Sequence, residues 1–262
     1  MTVTLIINHC ISDSGLGDTI RSAYAYFIMS KKLGFKIFYD FTNQNLGNCF
    51  DTNINHTCTK DCKFFKDFSK DNEKTHEFIN FLTTVTNYPE NHIFHVRSNH
   101  CYEIVDFKEF GLRENRESFI KWLNKTPKLE ARIKQLTPSK NYISIHIRCG
   151  DRHMFKQGPC SNDSRIDPLD TKIDQLIHNL AKKETVVLFT DNPNIRQRLN
   201  KYCLNTRQAV HIGKKASVEE IIDTVSEFFI IGQATHIFVG VRSGFSYWPS
   251  VLFGKKITNL QN

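Results

Sequence analysis

Nowhere does this sequence hold about 18 consecutive apolar residues, the length a membrane-spanning helix needs, so no span is predicted. The first residues, Met1 to Cys10, lack a basic segment and run straight into an apolar stretch, so no secretory signal is expected. Together these absences predict a soluble intracellular protein, cytoplasmic in the simplest case. No block of about five Lys or Arg occurs either, which argues against a nucleic-acid-binding arm. Internal repeats and low-complexity tracts are missing.

The cysteines also exclude more than they offer. Cys10, Cys49, Cys58, Cys62, Cys101, Cys149, Cys160 and Cys203 are present. Without a secretory signal they read as free thiols. Cys58 and Cys62, with His56 nearby, do not have a common zinc spacing, and no second pair follows. No metal site is expected.

What is there is ordinary globular material. The chain has 262 residues, 40% of them hydrophobic and 24% charged, enough for one large domain or two small ones. Its 35 Lys and Arg against 27 Asp and Glu leave a formal charge of +8, spread along the chain. Such a balance suits a polyanionic ligand and equally a solvated basic surface.

Apolar patterning predicts alternating strands and helices. Residues 3–7 read as a strand, 12–18 as a glycine-containing loop, 19–33 as a helix with one apolar face, and 35–41 as the next strand. Gly34 sits in a C-cap position. Residues 42–63 read as loop, with one or two helices in 64–86 and a strand at 92–97. A single helix is predicted over 118–136, broken by Thr137-Pro138-Ser139, where a domain boundary is placed. Strands follow at 142–147, 185–189, 209–211 and 236–239. Helices are predicted at 170–181, 194–201 and 217–232, and 248–252 is a helical candidate. Ser217 is the expected N-cap of its helix. The alternation implies doubly wound parallel sheets, whose ligands sit beyond the carboxyl ends of the strands.

Several residues stand out for their chemistry. Gly15 and Gly17 lie between a strand and a helix, but Ile20 occupies the place of a third glycine, so the dinucleotide fingerprint fails. The turn still brings backbone N–H groups toward a ligand, or is only a turn. His146 and Arg148 alternate with Ile145 and Ile147 on a strand and point to one face at its end. The arginine fork matches diphosphate oxygens. An ion pair with Asp151 is the plain alternative. Thr190-Asp191 ends another strand and suits a helix cap as well as a ligand. Glu227 would ordinarily be a solvated helix residue. Arg242, Ser243, Gly244, Phe245 and Ser246 follow the last of these strands with hydroxyls, a glycine and a cation, a composition fit for phosphate or for any turn.

Taken in order, these motifs resemble the fucosyltransferase superfamily that includes the α1,2-, α1,6- and protein O-fucosyltransferases. The resemblance rests on His146-Ile147-Arg148-Cys149-Gly150-Asp151 for H-x-R-R-G-D and on Thr190-Asp191 after an apolar strand. It continues with Glu227 on a helix, an apolar strand, and Ser243-Gly244-Phe245-Ser246. It covers residues 142–250. The opening half is similar only through Gly15-Leu16-Gly17-Asp18, where Asp18 replaces the usual Asn.

That resemblance implies a GT-B-like α/β fold with two Rossmann-like parallel-sheet domains facing a cleft. Residues 1–138 would form the acceptor side, and residues 139–262 would bind the nucleotide sugar. It implies an inverting, metal-independent transferase that moves a sugar, L-fucose from GDP-fucose first of all, to a glycan hydroxyl. No cofactor is then needed, because the nucleotide sugar is a substrate. Arg148 would bind the β-phosphate and stabilise the departing diphosphate. His146 would support the donor pocket, and Glu227 would take the place of an Asp that accepts from guanine. Asp191 would organise the turn under the base or ribose, and Ser243 to Ser246 would line the phosphates. Cys149 replaces the family's second arginine, for which Arg242 or Arg152 would compensate. The general base is open among Asp18, Asp151 and His153. The alternatives are another nucleotide sugar, such as a UDP-pentose, or a binding protein without catalysis.

Overall fold

The computed structural model of the chain describes residues 5–9, 15–41, 46–51, 80, 81, 84, 93–96, 114–149, 171–207, 216–241 and 243–260. Two compact units emerge, one of Met1–Thr126 with Ile212–Lys215 and one of Pro127–His211 with Ala216–Asn262. The expected strand at 209–211 and most of the expected helical stretch at 64–86 lie outside the described residues.

The first unit begins with β1 (Leu5–His9), α1 (Leu16–Leu33) and β2 (Lys36–Asp40), and β3 (Ile93–Val96) follows. Its sheet has the order β2-β1-β3 with both pairings parallel, Leu5 standing opposite Lys36 and Ile93. A parallel pair cannot be closed by a tight turn, so α1 serves as the crossover. Only one apolar face was expected of α1. Instead, nearly every residue from Leu16 to Ser30 is buried, Asp18 and Arg21 being the exceptions. A helix that is apolar almost all round needs cover on every side. Part of that cover is aromatic. Tyr24 and Phe27 pack on Phe119 at ring distances of 4.7 and 5.6 Å, and Phe27 also meets Trp122 at 5.5 Å. The helix ends at Gly34, whose φ of 80° lies in the left-handed region and whose N–H reaches Ser30 O at 2.9 Å. Glycine takes this conformation without the Cβ clash other residues meet there.

The single helix expected over 118–136 is two helices, α2 (Arg116–Trp122) and α3 (Pro127–Leu136). Asn124 between them has φ 43°. Pro127 explains the break, since it has no N–H to continue a helix and disfavours helical backbone at the residue before it. The compact units part at this break. The division expected at 138 follows α3, whereas α3 packs with the second unit, where Arg132 Nε donates to Asp223 Oδ1 at 2.7 Å.

The second unit continues with β4 (Ile143–Ile147), α4 (Lys172–Ala181), β5 (Val186–Thr190) and α5 (Pro193–Arg198). It ends with α6 (Val218–Gln233), β6 (His236–Val239), α7 (Gly244–Phe253) and β7 (Ile257–Asn259). Strand order is β5-β4-β6-β7, again all parallel. The central β4 is buried along its whole length, as a strand covered on both faces must be. Its odd residues Ile143, Ile145 and Ile147 pack into one core with Ile173, Ile177, Val186, Leu188 and Ile195. The even residues face the other side, where Tyr142 just ahead of the strand donates its hydroxyl to Ile230 O on α6 at 2.7 Å. This alternation sends His146 toward α6 and α7.

Ser217 caps α6 as expected and completes a capping box. Its hydroxyl accepts from the Glu220 N–H while the Glu220 carboxylate accepts from the Ser217 N–H. At the far end of α6, a Cβ added to Gly232 would overlap the Phe253 ring of α7. Gly232→Ala is therefore expected to destabilise the fold by about 1–3 kcal/mol through overpacking, measurable by chemical denaturation.

Candidate active site

The carboxyl ends of β4 and β5, paired in parallel, carry three of the predicted residues: His146, Arg148 and Asp191. Arg148 follows the last residue of β4 and is half-buried. Among the described residues its guanidinium has no hydrogen-bond or ion-pair partner. Asp151, its alternative partner, lies outside the described residues, as do His153 and Arg242. Cys149, which stands where the family shows arginine, is buried, 1% exposed, and forms no disulfide among the described residues. Its backbone N–H donates to Asp191 Oδ1 at 2.7 Å. Asp191 thus fastens the end of β4 to the end of β5 and puts a carboxylate near His146.

The cap expected of Thr190-Asp191 falls one residue later. Asn192 Oδ1 accepts from the N–H groups of Asn194 and Ile195 at 2.9 and 3.2 Å and so opens α5. Asp191 instead accepts from the β4 end.

His146 is buried, and its ring packs on Phe245 at 5.4 Å. Burial holds its imidazole down at about 4; Asp191 pulls the value up, and the Arg148 cation adds to the depression. The ring is therefore neutral near pH 7, a hydrogen-bonding group and no proton carrier at that pH. Its Nδ1 is buried without a partner among the described residues, a position from which it could meet a ligand. A sign follows for stability. The folded value lies below the ordinary 6.5, so the unfolded chain binds the extra proton first. The stability from neutral His146 is present above 6.5 and is lost as pH falls toward 4. Denaturation at several pH values should show this slope reduced in His146→Leu.

Ser243 N-caps α7, its hydroxyl accepting from the Phe245 N–H at 3.3 Å. Ser246 donates to Ser243 O at 3.3 Å and is fully buried, whereas Gly244 is exposed at the first position of the helix. This turn offers a helix N-terminus with hydroxyls at hand, a setting that favours anions. Phe245 links it to His146 and, at 5.9 Å, to Phe228 on α6.

Glu227, next to Phe228, was expected on a solvated face unless it bound a ligand. It is only 3% exposed. Its Oε1 accepts from the Thr206 hydroxyl at 2.6 Å. Burial lifts its carboxyl to about 7, with Thr206 and Arg196 pulling it back down and Asp223 pushing it up. Thr206 and Arg196 escaped the sequence reading. Thr206 lies in a connection with no periodic pattern, and nothing in its neighbours marks it as the partner of a helix residue 21 positions away.

In the other unit, described by itself, Gly15 is the N-cap of α1 and Gly17 is buried in its first turn. Asp18 is exposed and pairs with Arg21 at 3.2 Å. Among the described residues, no group of three or more His, Cys, Asp or Glu is arranged to hold a metal ion. No described helix is long and apolar enough to cross a membrane.

No protein-family model matches the chain, and no curated protein matches it. Solved structures do. The α1,6-fucosyltransferase NodZ co-crystallised with GDP is 11% identical with a TM-score of 0.56, over 96% of this chain and 93% of that one. A mutant of Arabidopsis thaliana FUT1 in complex with GDP gives 0.58 at 12% identity, over 99% and 71%. POFUT1 in complex with GDP gives 0.52 at 12% identity, over 98% and 97%. At such identities the likeness is one of fold. The chain is an α/β protein of the GT-B-like class. Its fold is that of the fucosyltransferases.

Proposed function

We propose that this chain is an inverting glycosyltransferase that takes a GDP-sugar, GDP-fucose first of all, and transfers the sugar to a glycan hydroxyl without a metal. The observation that carries the reading is Arg148, a cation with no partner among the described residues, at a strand end beside the neutral His146. The fold it sits in is one that binds GDP in NodZ and POFUT1.

In this mechanism the acceptor oxygen attacks the anomeric carbon from the face opposite the diphosphate. The bond from that carbon to the β-phosphate oxygen breaks, and GDP departs with the electron pair. A general base removes the hydroxyl proton. Arg148 meets the charge that grows on the leaving diphosphate, a contribution larger in the transition state than in the ground state. The N-terminal turn of α7, Ser243 to Ser246, supplies further donors to the phosphates. Asp191 holds the β4 end that carries Arg148 in place through the Cys149 N–H. His146 would support the donor pocket, and Glu227 would accept from the guanine edge. Arg242 would add a second cation, and Gly15 and Gly17 would present the α1 N-terminus on the acceptor side. Asp18, Asp151 and His153 are the candidates for the base.

A screen of nucleotide sugars in EDTA tests this reading, with release of the nucleotide as the signal. Turnover of a GDP-sugar is expected. Turnover of UDP-xylose in place of any GDP-sugar would move the donor, and binding without turnover of any donor would make the chain a binding protein.

A further inference from the structure

If Glu227 reads the base of the donor, it must do so as a carboxylate, since guanine presents N–H donors at that edge. Its surroundings work against the charge. The side chain is almost fully buried, and Asp223, one turn earlier on the same helix, adds a like charge. Cys203 also faces it from the segment after α5. Something must hold Glu227 ionised and in one rotamer.

The geometry points to Thr206 as the positioning residue for Glu227, with Arg196 on α5 setting the direction of its hydroxyl. This inference rests on the proposal that Glu227 binds the base. Arg196 Nη2 lies 3.1 Å from Thr206 Oγ1. A guanidinium only donates, so the hydroxyl oxygen accepts there and its own proton is turned elsewhere. That proton lies toward Glu227 Oε1, at 2.6 Å. The same Arg196 nitrogen, whose two N–H groups are shared among these acceptors, also lies 2.6 Å from Thr206 O and 3.2 Å from Leu204 O, which fixes the backbone that carries the hydroxyl. The segment is tied a second time through the Arg207 N–H, which donates to Asp223 Oδ2 at 2.9 Å. Arg196, Thr206 and Glu227 thus form a one-way relay of donors ending on the carboxylate. Oε1 is committed to it, and Oε2 has no partner among the described residues. Oε2 is the oxygen left for a base N–H. Selectivity for guanine over uracil is then set by Thr206 as much as by Glu227.

The test is calorimetric titration of GDP and of UDP from about pH 6 to about pH 9, with the wild type, Thr206→Val, Thr206→Ser and Glu227→Gln. In the wild type, GDP affinity rises through about pH 7 as Glu227 loses its proton. Thr206→Val should weaken GDP about tenfold near neutral pH, move the rise to higher pH, and leave UDP unchanged. Thr206→Ser keeps the hydroxyl and should restore both affinity and profile, which a role in packing alone would not predict. Should the valine variant fail to fold, Thr206→Ala removes the same hydroxyl and carries the same expectation. The inference is overturned if removing the hydroxyl leaves the GDP affinity and its pH profile as in the wild type while Glu227→Gln abolishes the GDP preference. If Glu227→Gln also leaves GDP binding untouched, the assignment of Glu227 to the base fails, and this inference falls with it.

Discussion

Arg148→Ala is expected to lower kcat for a GDP-sugar by about a hundred- to a thousandfold and to leave stability unchanged within about 0.5 kcal/mol. The two halves of this expectation have one cause. The guanidinium makes no hydrogen bond or ion pair among the described residues, so the fold loses little when it is removed. Its partner in the proposed reaction is the diphosphate, whose charge grows as the glycosidic bond breaks. Arg148→Lys keeps the charge and loses the planar fork, so its rate should fall between the two. Steady-state kinetics with parallel denaturation curves check this. A variant as active as the wild type would remove Arg148 from the chemistry, and a variant that unfolds would give it a structural role instead.

The largest stability effect is expected at Asp223. Both carboxylate oxygens are used: Oδ1 accepts from Arg132 Nε at 2.7 Å and Oδ2 from the Arg207 N–H at 2.9 Å. Asp223 is 5% exposed, so water cannot easily replace these donors. Arg132 is also engaged beyond this pair, with Nη2 donating to Asn205 O at 3.1 Å. One carboxylate therefore joins α6, α3 and the segment carrying Thr206. Asp223→Ala should cost about 3 kcal/mol, because the arginine is left with its charge half-buried and unpaired. Adding Arg132→Ala should recover part of that loss, and the coupling is read from a double-mutant cycle in urea. By contrast, the exposed pair of Lys128 and Glu219, 3.6 Å apart, should contribute under about 1 kcal/mol.

Much of this architecture is written locally. Apolar runs mark the strands of both sheets except β7. Ser217 with Glu220, and Gly34, mark the helix ends at which they are found. The alternation in Ile145-His146-Ile147 was enough to send His146 to one face and the isoleucines to the other core. What failed was long-range or short. Pro127 was read through because the apolar spacing on either side of it continues a helical pattern. The edge strand β7 has three residues, too few to show a period. Asp191 looked like a cap, and only the pairing of β4 with β5 reveals that its carboxylate belongs to Cys149. Glu227 bonds Thr206 and its neighbour Phe228 reaches Phe245, contacts that no window of sequence contains. The site's strand ends were legible, and the polar groups that tension them were not.

The central claim is that the end of β4 grips the diphosphate of a GDP-sugar. Its most direct test is the binding of GDP to the wild type and to Arg148→Ala by isothermal titration in EDTA. The expected result is metal-free binding of GDP, weakened at least about tenfold in the variant, with GMP less affected because it lacks the β-phosphate. Equal GDP affinity in the two proteins, or no GDP binding by the wild type, would contradict it.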